Sequence, residues 1–576
     1  MTKFNRAIRR ATATATTTAP TTTYEGGAAV TRDSKSELVL LAVVNMVGEQ
    51  TFYESSGDRD DRFRTLVRTV AVEDADWTAR FITWLRGEAQ MRTASLVAAA
   101  EAVVARLAAG LHGGNRRIVD AACLRADEPG EFLAYWTAHH GRALPKPVKR
   151  GLADAARRLY TERSLLKHDT EGHGFRFADV LELVHAAPDP EKPWQSELFR
   201  HAIDRRHHRD AAPPVSLRAL RARARLTALP QWERRAVLER PDAAEALRSA
   251  GMTWEALAGW LQGPMDAVAW QAVLPSMGYM ALLRNLRNLD EAGLPDAVAE
   301  RVAARLADPA EVARSRQFPY RFLSAYRAAP SLRWGHALDR ALTAATAAVP
   351  ALPGRTLVLV DTSGSMQAPV SGRAQVRHVD IGALFGVALA HRGCQVDLVG
   401  FASGHFGHRL TPGGSVLRDI EGFCARIGEV GHGTETGAAL RAAYRGHDRV
   451  VIVSDMQAFA PARGGRSVPV SEAVPARVPV FGVNTTGYAA TSIDTGRPNR
   501  YEIGGFSDKL FTMVGLLSEG DRGSGGRAAW PWEALGEAAQ CGPYGSHPGL
   551  TAHAGALRPV SGIAEPRDRS RRTVER

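Results

Sequence analysis

The sequence predicts two fold classes in succession: an all-α helical array over residues 24–350, then a doubly wound α/β domain over 353–517. Three observations predict this. Apolar residues recur at three- and four-residue spacing throughout the first region, where strand-like alternation is scarce. At about residue 353 the pattern switches to short apolar runs alternating with helical stretches, the mark of a parallel sheet. A chain of 576 residues is also long enough for two or more domains, each with a substantial core.

Taken in order, residues 1–23 are low-complexity Ala, Thr and Pro, basic but without the apolar stretch of a signal peptide, and are predicted to be disordered. From Ser36 to about Val349 helix follows helix, with breaks at Gly, Pro or Asp: SELVLLAVVNMVG, DADWTARFITWLRG, TASLVAAAEAVVARLAAG and MGYMALLRNLRNL are examples. No fixed period appears, so the array reads as an irregular stack of helical hairpins. In the second domain strands are predicted at TLVLV, QVDLVGF, RVVIVS and VPVFGV, with helices near 378–391, 416–427 and 436–445. The tail over 518–576, rich in Gly and Pro with the charged end PRDRSRRTVER, is predicted to be disordered.

Composition narrows the setting. Four widely spaced cysteines, Cys123, Cys394, Cys424 and Cys541, form no CxxC pair, which argues against a disulfide framework or zinc ribbon and fits a reducing, cytoplasmic environment. No run reaches the roughly 18 apolar residues of a membrane span. Lys plus Arg is 73 against 61 Asp plus Glu, a net charge of +12 that favours a polyanionic partner such as nucleic acid. Residues 142–240 hold two thirds of that excess, with 21 Lys and Arg against 13 Asp and Glu. Within LPKPVKRGLADAARRLY, Lys146, Arg150 and Arg157 fall on one helical face, with Lys149 beside them. Val148, Leu152, Ala155 and Leu159 form the opposite face, so cations should point outward from an apolar seat. Arg205 and Arg206 lie in a second basic cluster, and the alternate arginines 221–225 must wrap a helix or form a loop. An ordinary solvated face would account for the charge as well as nucleic-acid binding does.

The strongest motif is RTLVLVDTSGSM. A buried strand runs into Asp361, and Asp361, Ser363 and Ser365 release a carboxylate and two hydroxyls together at its end. Thr434, in the Gly-rich turn GHGTETG, and Asp455, ending RVVIVSD, fall on other loops at the same exposed edge of the sheet. Hard oxygen donors of this kind select Mg²⁺, Mn²⁺ or Ca²⁺. A capped tight turn would explain Asp-x-Ser-x-Ser alone, but not three loops in order. Nucleophile elbows, phosphate-binding loops and zinc-hydrolase motifs are absent from the sequence, and two carboxylates are few for two-metal chemistry, so no enzyme is expected.

These residues resemble the metal-ion-dependent adhesion site of von Willebrand factor A (vWA) domains. That resemblance implies one divalent cation, Mg²⁺ above all, held by the hydroxyls of Ser363, Ser365 and Thr434 and, directly or through water, by Asp361 and Asp455. It also implies a position left for an acidic residue of a partner protein. The helical region is similar to the TROVE domain of the Ro ribonucleoprotein family, which carries a vWA domain directly after it. YEGGAAV (24–30), GEQTFYES (48–55), LPKPVKRGLADAARRL (144–159), GFRFADVLELVHAAP (174–188), WQAVLPSMGYMALLRNLRNLDEAGL (270–294) and PYRFLSAY (319–326) carry the likeness.

The resemblance implies a ring of HEAT-like helical repeats closed by the vWA domain. Such a ring binds Y-like noncoding RNAs on its basic outer surface and single-stranded 3′ ends of misfolded RNAs in its hole. It acts as a monomer in RNA quality control or processing, with an exoribonuclease as a further partner. It also implies that Lys167 and His185 face RNA, although Asp169, Glu171 and Ala178 stand where the family carries cations. Two rivals are kept open: a chelatase-like or adhesion-like protein-interaction module on a helical solenoid, and a metal-dependent nuclease.

Overall fold

The computed structural model describes residues 19–505 and Val514, apart from 45–46, 173, 210–211, 330, 348, 350, 373, 412 and 460–468. The tail over 518–576 and residues 1–18 of the Ala/Thr-rich stretch lie outside the described residues. The end of that stretch is ordered against expectation. Strand β1, Pro20–Thr22, pairs antiparallel with β2, Ala28–Val30, because the turn between them is fastened to the distant α/β domain. Thr23 Oγ1 donates to the Ala458 carbonyl at 2.7 Å, and Val30 bridges to Thr491. Such long-range contacts cannot be read from local composition.

Twenty-one α-helices among the described residues, from Ser34–Val44 to Leu332–Ala345, build the array. Each packs mainly on near neighbours: Ser56–Glu73 on Arg92–Ala108, Asn115–Ala122 on Lys146–Leu159, and that helix in turn on Phe177–Val184. Helix Lys146–Leu159 has Pro147 in its first turn, where no intrahelical N–H is missed, and buries Val148, Leu152, Ala155 and Ala156. Gly151 lets it approach closely, since a Cβ there would lie 2.7 Å from the Arg116 carbonyl oxygen. The alternate arginines 221–225 wrap helix Arg218–Thr227, and Arg223 donates to the carbonyls of Ala250 and Gly251.

The α/β domain is a six-stranded sheet of β3 (Arg355–Asp361), β4 (Gln395–Phe401), β5 (His405–His408), β6 (Arg449–Ser454), β7 (Val480–Asn484) and β8 (Arg500–Gly504), in the order β5-β4-β3-β6-β7-β8. All neighbours are parallel except β5, which pairs antiparallel with β4. The strand run in β3 serves two cores. Val358 and Val360 join one that continues into the helical array, while Leu357 and Leu359 join a second on the other face with Leu440, Val450 and Ile452. Helices His378–His391, Val416–Cys424 and Thr436–Ala443 stand where the sequence places them; β5 and β8 are unforeseen additions. Their segments, HFGH and RYEIG, are too short and mixed to read as strands.

Both ends of the array dock on this domain, which closes the array into a ring. At the first seam, helix Ser34–Val44 lies against β8, and Arg32 pairs with Glu502. At the second, Arg327 pairs with Asp380, while Asp339 accepts from Ser415 Oγ at 2.8 Å and from the Leu417 amide at 3.0 Å.

Candidate metal centre and basic surface

The first and fourth strands of the domain, β3 and β6, are adjacent, and chain progression reverses between them. Parallel sheets open a crevice at such a switch point, beyond the carboxyl ends of the strands. The loops after β3 and β6 bring Asp361, Ser363 and Ser365 together with Asp455. The turn carrying Thr434 is bolted alongside: the Gly364 amide donates to the His432 carbonyl, the Gly433 amide to Ser403 Oγ, and the Phe459 amide to the Thr434 carbonyl. All five predicted oxygen donors are therefore on loops that touch one another.

The setting differs from the expected exposed edge. Asp361 and Asp455 are fully buried, and Ser363, Ser365 and Thr434 nearly so. Asp361 is held by the Ser363 amide at 2.9 Å and by Ser454 Oγ at 2.7 Å, and Ser363 Oγ lies 3.3 Å from Ser365 Oγ. Asp455 Oδ1 accepts from the Gln457 amide at 3.2 Å, but its buried Oδ2 has no hydrogen-bond partner. Burial raises the affinity of both carboxyls for a proton, and Asp361 raises that of Asp455 further. Two buried carboxylates, one with an orphaned oxygen, and three hydroxyls make a donor set suited to a hard cation with five or six oxygen ligands. Among the described residues no His, Cys, Asp or Glu forms a larger metal-binding group with them. Ser454 was legible only as part of a strand; its hydroxyl turns out to orient Asp361.

The predicted basic residues divide into two groups. Lys146 and Arg150 are exposed on helix Lys146–Leu159, with Lys149 half-buried beside them, and none of the three makes a salt bridge among the described residues. Arg157 donates to the Ala187 carbonyl at 3.2 Å, which draws the stripe up to the loop that begins at exposed His185. His185 adopts a left-handed conformation, φ 54°, as the C-cap of helix Phe177–Val184, and exposed Lys167 lies in the last turn of Glu162–His168. Arg205 and Arg206 are tied down instead. Arg205 donates to the Asp169 carbonyl at 2.8 Å, and Arg206 pairs with Asp179 at 2.9 Å. Asp169, the acidic departure from the family pattern, is buried and also accepts from Arg176 and the Phe177 amide, so it organises the loop before helix Phe177–Val184.

A closed helical array completed by a doubly wound domain with an oxygen-lined crevice defines a class of ring-shaped two-domain protein. Residues 249–352 match the family model of the TROVE domain. The fold is similar to the crystal structure of the Ro (RSR) protein of Deinococcus radiodurans, at 20% identity and a TM-score of 0.58, covering 85% of this chain and 100% of that one. No curated protein matches the chain. The likeness to the Ro ribonucleoprotein family carried by the sequence motifs is thus borne out, by a family model over its TROVE segment and by a solved structure in its fold. Among the described residues no helix is long and apolar enough to cross a membrane.

Proposed function

We propose that the protein is an RNA-binding scaffold, non-catalytic, that takes structured noncoding RNA of the Y-like class on its basic outer face and single-stranded 3′ ends of misfolded RNA within the ring. The observation that carries this reading is the row Lys146, Arg150 and Arg157, backed by an apolar face, pinned to a rigid closed array and continued toward Lys167 and His185. Phosphate contacts need cations held in place but not already paired, and this row meets both conditions better than Arg205 and Arg206 do. Neutralising Lys146, Arg150 and Arg157 together is expected to weaken binding to many RNAs alike. The salt dependence should flatten by about three contacts, since each released phosphate contact contributes roughly 0.7–0.9 to the slope of log K against log salt. Filter binding over a salt series checks this; an unchanged slope in a folded variant would identify the row as solvated surface only.

The crevice of Asp361, Ser363, Ser365, Thr434 and Asp455 is proposed to hold one divalent cation, Mg²⁺. When bound, such an ion can bridge to an acidic residue of a partner protein, an exoribonuclease among the candidates. The residues themselves supply the pocket: Ser454 and the Ser363 amide orient Asp361, and the Gln457 amide orients Asp455. Asp361→Asn keeps an acceptor for Ser454 while removing a charge, and is expected to weaken Mg²⁺ binding on the order of a hundredfold. RNA affinity should stay within a few fold, because the basic row lies on a different domain. Titration calorimetry with Mg²⁺ and RNA binding on the same protein decide it, and a joint loss of both would place metal and RNA at one site.

A further inference from the structure

Of the tryptophans among the described residues only Trp232 is exposed, at 79%. Its helix, Gln231–Leu238, begins after Pro230 and buries Val237 and Leu238, so the indole takes no part in the helix's own seat. A single exposed aromatic side chain needs no explanation by itself. What sets this one apart is the open cleft of about 630 Å³ that it lines. Leu261 and Pro264 add apolar lining, and Gln231, Gln262 and Arg235 add polar lining. The opposing loop is fastened to the helix: Arg235 pairs with Asp266 and donates to the Pro264 carbonyl at 3.4 Å, and Gln231 Nε2 lies 3.4 Å from the Gln262 carbonyl. Gln262 ends helix Trp254–Leu261 in a left-handed conformation, φ 50°, which turns the chain into that loop. The cleft is therefore built into the fold.

The lining discriminates between ligands. The centre of a protein interface needs several apolar groups packed together, whereas here one indole stands among two amides, a guanidinium and a proline. A nucleobase needs one aromatic face to stack on and a few donors and acceptors at its edge, and amide and guanidinium groups supply both. Charge agrees with that ligand. Residues 218–240 hold seven Arg and two Glu, and Arg218, Arg221 and Arg225 make no salt bridge among the described residues. Arg234 is not available in the same way, since it donates to the carbonyls of Leu229 and Trp260 at 3.0 and 2.5 Å. Position agrees as well. Glu162 accepts from the amides of Ala219 and Leu220 at 2.8 and 3.1 Å, which ties helix Arg218–Thr227 to the helix that carries Lys167. The cleft is thus joined to that helix through a single intervening one.

We propose that the Trp232 cleft binds one unpaired base of single-stranded RNA, stacked on the indole, with the side chains of Gln231, Gln262 and Arg235 at the edge of the base. The inference deepens the RNA-binding reading above and rests on it. It adds a contact of a different kind from the basic row: stacking removes apolar area from water and releases no counterion, so it tells an unpaired base from a paired one, which phosphate contacts alone do not.

Fluorescence anisotropy of a labelled RNA decamer without self-complementarity, on the full chain, tests this. Trp232→Ala should weaken the decamer about tenfold at fixed salt and leave the slope of log K against log salt unchanged. Its melting temperature should match the parent's, because the side chain is exposed. Trp232→Phe keeps a ring and should stay within about threefold of the parent. A decamer stripped of all its bases should bind parent and Trp232→Ala alike. Equal decamer affinity of parent and Trp232→Ala would overturn the base site, and a parent that still binds RNA would leave the RNA-binding reading standing. Trp232→Leu binding as tightly as the parent would also overturn it, since leucine offers apolar area without an aromatic face, the kind of contact a protein side chain would make. If the parent binds no RNA, the RNA-binding reading falls and this inference with it.

Discussion

Arg32→Met is expected to cost about 3–5 kcal/mol of stability, because it strands a buried carboxylate. The Arg32 guanidinium meets both oxygens of Glu502 at 2.6 Å and also donates to the carbonyls of Tyr488 and Ala489 at 2.6 and 3.0 Å. The two side chains are only 3% and 1% exposed, so water cannot replace the lost partner. Asn484 Nδ2, at 2.8 Å from Glu502, remains as a neutral donor and is too weak to hold a full charge there. The loss should appear in calorimetry as a lower melting temperature and in hydrogen exchange as faster opening from β2 through helix Ser34–Val44. Replacing both partners, Arg32→Met with Glu502→Leu, should recover most of the loss, since matched apolar groups carry no desolvation penalty. A double variant as unstable as the single one would show that the carbonyl contacts, not the ion pair, hold this seam.

At the other seam Arg327→Met should cost less, about 1.5–3 kcal/mol, the range for hydrogen bonds to a charged group. Asp380 is fully buried, and Arg377 stays on it at 3.0 Å when Arg327 is gone. Burial pushes the Asp380 carboxyl up, but hydrogen bonds from Arg327 and Arg377 outweigh that and hold it well below the ordinary carboxylate range. A carboxylate depressed in the folded state stabilises fully above its unfolded value near 3.8 and loses that contribution as the pH falls toward the folded value. The stability gap between parent and variant should therefore be full at neutral pH and narrow as the solution is acidified below that value. Melting curves over an acid series test this, and a gap that stays constant to low pH would rule out the ion pair as its source.

That Asp361, Ser363, Ser365, Thr434 and Asp455 lie on neighbouring loops was legible because a strand-then-Asp pattern and Gly-rich turns are local signals, and the order of strands then brings the loops together. Their depth was not legible. Asp361 and Asp455 are fully buried, and Thr23 and Tyr24 bond to Ala458 and Gln457 in the loop after Asp455, contacts across more than 400 positions that no local pattern announces. The basic row on helix Lys146–Leu159 was read correctly from the opposition of Val148, Leu152 and Ala155 to Lys146 and Arg150. The ties that hold Arg205 and Arg206 were not legible, because charge counts do not say which acids fold back. Asp169 and Asp179 do, from 36 and 27 positions away.

Closure at both ends makes the molecule a hoop rather than a spring. An open stack of helical pairs widens by sharing small rotations among many joints. A hoop clamped by one rigid plate can widen appreciably only by letting go at a clamp. The two clamps are unequal: one is dry, combining the Arg32–Glu502 pair with the almost wholly buried helix Ser34–Val44, whereas at the other Arg327 is 22% exposed and water can take over its contacts. Of the two clamps, the one at Arg327 is therefore the more open to water and the one at Arg32 the drier, and the N-terminal strands belong to the drier one.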